Sequence, residues 1–204
     1  MIYEFRTYQL KPRTLPEVIQ RFGDAIDKRL KFSPLAAFWY SEIGALNQII
    51  HVWPYESIEE RGKVRAAAVA ERAWPPKIGE FIETMQSEIL QPVDFIEQMK
   101  PGEHGPYYEM RSYILKPGGL PGMVERWKEQ IPGRLEYSPV VAAMSTDIGT
   151  LNKWVHIWPY KSLNERVATR EKAKADGVWP PKGDSPVIKQ ETTILLPAPF
   201  SPMK

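Results

Sequence analysis

Tyr3-Glu4-Phe5-Arg6-Thr7-Tyr8 and Tyr108-Glu109-Met110-Arg111-Ser112-Tyr113 are one hexapeptide written twice, with Phe5 changed to Met110 and Thr7 to Ser112. The same offset holds without a gap. Lys11-Pro12 pairs with Lys116-Pro117, Leu15-Pro16 with Leu120-Pro121, and Ser33-Pro34 with Ser138-Pro139. Gly44, Leu46, Asn47, His51, Trp53, Pro54 and Tyr55 return as Gly149, Leu151, Asn152, His156, Trp158, Pro159 and Tyr160. Trp74-Pro75-Pro76-Lys77 returns intact as Trp179-Pro180-Pro181-Lys182. Close to half of positions 3–77 are identical in 108–182, so the chain is an internal duplication. Two copies of domain length make a pair of like domains rather than a solenoid. We divide the chain into repeats at 1–98 and 107–204, joined by a linker, 99–106, whose Lys100-Pro101-Gly102-Glu103-His104-Gly105-Pro106 is polar and broken by Gly and Pro.

Within one copy, residues 2–10 alternate, with Glu4, Arg6 and Tyr8 on one side and Tyr3, Phe5 and Thr7 on the other, the period of a strand. Thr14-Leu15-Pro16-Glu17 has the spacing of a capping box, and Leu15, Val18, Ile19, Phe22, Ile26 and Leu30 follow at helical spacing. Leu35 to Tyr40 and Leu46 to Trp53 read as strands of a hairpin. Ser57-Ile58-Glu59-Glu60 opens a second helix, which Trp74-Pro75-Pro76 must end, and a last strand lies between Phe81 and Leu90. The order βαββαβ predicts an α+β fold: a four-stranded antiparallel ferredoxin-like sheet with both helices on one face. The bare faces of the two sheets can then pack on each other about a pseudo-twofold axis, as an α+β barrel with helices outside.

Composition narrows the function. The 204 residues carry 27 Lys+Arg against 25 Asp+Glu, interleaved, so nucleic acid and anionic lipid are not expected partners. No apolar run is long enough to cross a bilayer, so no membrane span is expected. With 43% hydrophobic residues the chain has the composition of a soluble globular protein, and the absence of Cys excludes disulfides, thiolate metal sites and cysteine nucleophiles. Met1-Ile2-Tyr3-Glu4-Phe5-Arg6 has the pattern of neither a signal nor a transit peptide, so the expected location is cytoplasmic. No phosphate loop, nucleophile elbow, dinucleotide fingerprint or zinc spacing is present, and we expect neither cofactor nor metal.

Chemistry concentrates on two strands. Alternation places Asn47, Ile49, His51 and Trp53 on one face of the third strand, with Asn152, Trp154, His156 and Trp158 in the second copy. A neutral imidazole both donates and accepts, so His51 and His156 are the candidate acid/base groups. Asn47 and Asn152 could orient a carbonyl, with Trp53 and Trp158 as walls. Arg6 with Tyr8, and Arg111 with Tyr113, could hold an anion or enolate beside Glu4 and Glu109. Each set also has a purely structural reading: a hydrogen-bonded core histidine, and a polar network in which a buried charge has its partner. Arg61 and Arg65, repeated as Arg166 and Arg170, read as a solvated helix face.

Glu4-x-Arg6-x-Tyr8-x-Leu10-Lys11-Pro12, followed by Gly44-x-Leu46-Asn47-x-x-x-His51-x-Trp53-Pro54-Tyr55-x-Ser57-x-x-Glu60-Arg61, resembles the NIPSNAP family, and the second copy is similar. The resemblance spans almost the whole chain and implies the dimeric α+β barrel superfamily. That superfamily includes cofactor-free monooxygenases acting on aromatic polyketides, small isomerases and some haem enzymes. NIPSNAP proteins have no settled reaction, and their animal members are associated with mitochondria, vesicle traffic and protein partners. Two functions stand side by side. The first is binding of a small apolar or aromatic carbonyl compound between sheet and helices, with cofactor-independent oxygenase or isomerase chemistry. Its pockets are expected to be unequal because Trp39 and Tyr40 become Met144 and Ser145. The second is a non-catalytic interaction or scaffold module that binds protein partners or further copies of itself.

Overall fold

The computed structural model describes residues 1–72 and 74–204. The first repeat contains β1 (Ile2–Leu10), α1 (Leu15–Leu30), β2 (Ala37–Ile43), β3 (Gln48–Tyr55), α2 (Ile58–Ala70) and β4 (Ile82–Pro92). The second contains β5 (Tyr107–Leu115), α3 (Leu120–Leu135), β6 (Ala142–Ile148), β7 (Lys153–Tyr160), α4 (Leu163–Ala175) and β8 (Val187–Pro197). The sheets run β4-β1-β3-β2 and β8-β5-β7-β6, antiparallel throughout. β2 pairs with β8 and β4 with β6, closing the ring. Every edge strand therefore finds a partner in the other repeat, leaving no unpaired ladder of the kind that invites aggregation.

Alternation sorts the side chains. Tyr3, Phe5, Trp39, Ile50 and Val52 enter the barrel lumen and meet Tyr108, Met144, Val155, Ile157 and Leu195. The opposite face of each sheet is covered by helices. Val18, Phe22 and Ile26 of α1 pack with Ile49 and Trp53, and Met123, Trp127 and Ile131 of α3 with Trp154 and Trp158. The expected tandem ferredoxin-like barrel is thus the observed one. Among the described residues no helix is long and apolar enough to cross a membrane.

Two local expectations change. Thr14 does not cap α1: its backbone is already helical, and its Oγ1 donates to the Lys11 carbonyl at 2.7 Å. Ser57 and Ser162 do cap, accepting from Glu60 N and Glu165 N at 3.2 and 3.0 Å. The buried stripe of α1 ends on Arg29 rather than Leu30, which stays exposed, because Arg29 lies over the Trp53 ring at 4.2 Å.

The segments after β4 and β8 cross over. Val93, Phe95 and Ile96 pack in the helix layer of the second repeat, where Val93 N bonds Ala143 O at 3.1 Å. Ala198 and Phe200 pack in that of the first, where Ala198 N bonds Phe38 O at 3.0 Å. The sequence boundary at 98 is therefore not a boundary in packing. Met99 is buried in the lumen core.

Candidate functional site

The register of β1 against β3 sets Arg6 opposite His51, and that of β5 against β7 sets Arg111 opposite His156. Each pair faces the helix layer, where α2 and α4 present two arginines one turn apart. Glu4 is fully buried and accepts from Arg6 at 2.8 Å, Arg61 at 2.7 Å and Ser87 at 2.7 Å, with Arg65 at 3.6 Å. Burial pushes its carboxyl up, but bonds from Arg61, Ser87 and Arg6 prevail and hold it down at about 2. Glu109 repeats the arrangement with Arg111, Arg166 and Arg170 at 3.0, 2.6 and 3.4 Å. Burial raises its pKa too, and the Arg166 bond with the Arg170 and Arg111 charges outweighs that, keeping it below the usual carboxylate range. Arg6 and Arg111 each donate from Nε to the neighbouring phenol, Tyr8 at 2.8 Å and Tyr113 at 2.6 Å.

Both imidazoles are buried. Burial, reinforced by the charge of Arg6 at His51 and of Arg111 at His156, pushes their pKa well below the ordinary histidine value. They are neutral at physiological pH. Trp53 Nε1 donates to His51 Nδ1 at 2.6 Å, and Trp158 Nε1 to His156 Nδ1 at 2.6 Å. An indole nitrogen only donates, so Nδ1 is the acceptor and the ring proton sits on Nε2. Neither Nε2 has a partner among the described residues. The acid/base role expected of His51 and His156 therefore narrows: with Nδ1 occupied, each ring offers one N–H and no free lone pair.

The repeats differ in what surrounds that N–H. Phe38 stacks on His51 at 5.4 Å between centroids, with Phe22 at 5.6 Å and Trp74 at 6.3 Å, and Ile78 is buried in the same cluster. At the offset positions of Phe38, Ile78 and Phe81 the second repeat has Ala143, Gly183 and Pro186. Trp127, in place of Phe22, returns some of that volume and lies 4.7 Å from the His156 ring. Beside His156 lies a cavity of about 230 Å³, bordered also by Met123, Trp127, Tyr113, Trp179, Val187 and Arg126. Tyr113, Trp179, Pro180 and Gln190 also border an adjoining outer recess of about 380 Å³ that Arg111, Arg170 and Lys174 line.

The expected site residues distribute unevenly. Tyr113 and His156 border this cavity and Arg111 the recess outside it, whereas His51 lies among the rings of Tyr8, Phe22, Phe38 and Trp74, with Arg6 bonded to Tyr8. Asn47 and Asn152 are not brought to the imidazoles. They precede the strand, and four residues of extended chain separate each from its histidine by ~13 Å. Their left-handed backbones, φ 57 and 54, explain them as hairpin residues. Trp53 and Trp158 hold the histidines; the walls are Trp127 and Trp179. Trp39 and Met144 face the lumen and do not shape the cavity, whereas Tyr40, replaced by Ser145 in the second copy, packs on the helix-side cluster of the first. The helix arginines, expected in solvent, reach the buried carboxylates, and their recurrence as a pair in both copies was the available signal.

The NIPSNAP family model matches residues 3–97 and again 108–202. The human protein NipSnap homolog 3A is 29% identical over 219 residues, covering 100% of this chain and 86% of the relative. Human NipSnap homolog 3B is 30% identical, with 99% and 85% covered. A solved monooxygenase candidate from Fusobacterium nucleatum superposes with a TM-score of 0.65 over 97% of this chain and 92% of its own, at 10% identity, a likeness of fold alone. With the family pattern matched in each half and the barrel closed between them, the chain belongs to the NIPSNAP family as a tandem pair of its domains.

Proposed function

We propose that the second repeat binds a small apolar or aromatic carbonyl compound, whose oxygen accepts from His156 Nε2–H and whose body lies against Trp127 and Trp179. The observation that carries this reading is a buried imidazole N–H without a partner among the described residues, on a histidine that borders a largely apolar cavity. A buried donor left unsatisfied costs about 1–3 kcal/mol, which a ligand carbonyl recovers. The same N–H and the nearby guanidiniums stabilise an enolate of that ligand. Cofactor-independent oxygenase chemistry, in which an enolate reduces oxygen, and isomerase chemistry, in which it is reprotonated elsewhere, both begin there. Because the imidazole has no free lone pair, the proton leaves to solvent through the outer recess.

Titration with 2-acetylnaphthalene, followed by tryptophan fluorescence, tests the binding. His156→Ala is expected to weaken it at least about tenfold, roughly the 1.4 kcal/mol of one hydrogen bond, and His51→Ala to leave it unchanged. Equal effects of the two substitutions would overturn the reading. Faster deuterium exchange of the bound acetyl methyl checks the enolate. A second reading, an interaction or scaffold role, draws on the apolar hairpin tips, where Ile43, Leu46, Ile148 and Leu151 are exposed. It expects self-association or partner capture that Leu46→Ser with Leu151→Ser abolishes.

A further inference from the structure

We infer that the ligand of the second repeat is an organic anion, an apolar or aromatic body ending in a carboxylate, with the carboxylate held by Arg111, Arg170 and Lys174. This rests on the reading of the cavity beside His156 as a ligand site. The first support is charge. Four guanidiniums, of Arg111, Arg134, Arg166 and Arg170, gather around one buried carboxylate, Glu109. Its Oε1 is shared by Arg111 and Arg166, and its Oε2 meets Arg170 only at 3.4 Å. Arg134 is buried on neutral partners alone, Ser138 Oγ at 2.8 Å and Tyr160 OH at 3.3 Å. The first repeat groups Arg6, Arg29, Arg61 and Arg65 around Glu4 in the same way, so the support lies in the recess: Arg111 and Arg170 line it beside Lys174, and guanidiniums so placed are matched in shape by a second carboxylate. Glu171 also lines the recess, exposed to solvent, so three cations there stand against one carboxylate.

The second support is the contrast between repeats. At the positions of Lys174, Glu171 and Gln190 the first repeat carries Val69, Ala66 and Met85. At these three positions the second repeat is polar and the first apolar, while Arg6 and Arg65 stand in the first repeat where Arg111 and Arg170 stand in the second. The third is the division of the space itself. The inner part is walled by Met123, Trp127 and Val187, with Arg126, Ser185 and Gln190 also on its border, and the outer part carries Arg111, Arg170 and Lys174. An inorganic anion leaves the inner part empty, and a neutral apolar ligand leaves the outer charges unanswered.

The test compares 2-naphthoate, 2-acetylnaphthalene and inorganic phosphate as ligands of the full chain. Naphthoate is expected to bind about tenfold or more tighter than the ketone at about 20 mM salt, with the advantage shrinking at about 0.5 M as screening sets in. Arg170→Gln and Lys174→Ala should each lower naphthoate affinity several-fold and leave the ketone unchanged. Arg65→Gln removes the corresponding arginine–glutamate contact in the first repeat and should change neither ligand. Ketone binding as tightly as naphthoate would overturn the anion inference and leave the site standing. Neither ligand binding would overturn both. Equal losses from Arg65→Gln and Arg170→Gln would show a structural effect and overturn it, as would phosphate competing as well as naphthoate.

Discussion

Glu4→Gln preserves the shape of a fully buried side chain while deleting the negative charge that Arg6, Arg61 and Arg65 share. The folded protein holds this carboxyl at about 2, against 4.5 for an unperturbed one. At about 1.4 kcal/mol per pH unit, that difference corresponds to roughly 3 kcal/mol of folding free energy at neutral pH. A depressed carboxylate contributes fully above its unfolded value, and the contribution fades as pH falls from 4.5 toward 2. Urea unfolding followed by far-ultraviolet circular dichroism at pH 7, 5, 4 and 3 reads it directly. The substituted protein should be about 3 kcal/mol less stable at pH 7, and the gap should narrow steadily below pH 4.5. A cost below about 1 kcal/mol at neutral pH, or one constant across the series, would refute the claim that three guanidiniums stabilise an ionised Glu4.

The histidines give a separate pH window. Both are held neutral when folded, so below their ordinary pKa of about 6.5 the unfolded chain binds more protons, and stability should fall by up to about 1.4 kcal/mol per unit per histidine. His51→Gln and His156→Gln should each flatten the slope between pH 6.5 and 5; an unchanged slope would show that the rings already titrate in the fold. Ser57→Ala and Ser162→Ala should each cost about 1 kcal/mol in thermal or chemical unfolding through the lost cap, and Thr14→Ala less than about 0.5. A large Thr14 effect would contradict the uncapped start of α1. Phe200→Ala should cost about 2 kcal/mol and speed hydrogen exchange in α1 and β2, since Phe200 lies 4.9 Å from Phe38; exchange rising in the second repeat instead would contradict the crossed tails.

The duplication, the element order and the closure of the barrel follow from patterns that local chemistry enforces. Alternation in Tyr3 to Tyr8 and in Ile49 to Trp53 determines which residues face the helices, and the repeated prolines mark where elements end. The site is harder because it depends on what is missing. The cavity beside His156 lies where Trp127, Trp179 and Val187 meet from three distant segments, and no one of these segments announces that they leave space between them. The helix arginines were hidden for a related reason: exposure of Arg61 and Arg65 is the default for a polar helix, and only the buried carboxylate across the layer reverses it. Asn47 misled because an amide beside a histidine in the sequence suggests chemistry, whereas its backbone conformation suffices to account for it.

Where two identical chains pair, every substitution is made twice: trading a buried Ile78 for glycine would hollow both halves, and the assembly would bear both losses. Covalent fusion ends that obligation. One half can keep its aromatic rings closed over His51 while its twin changes the packing around His156. The shared barrel lets the one half hold the other in shape. The loss of symmetry around His156 is then the freedom that a single continuous chain confers.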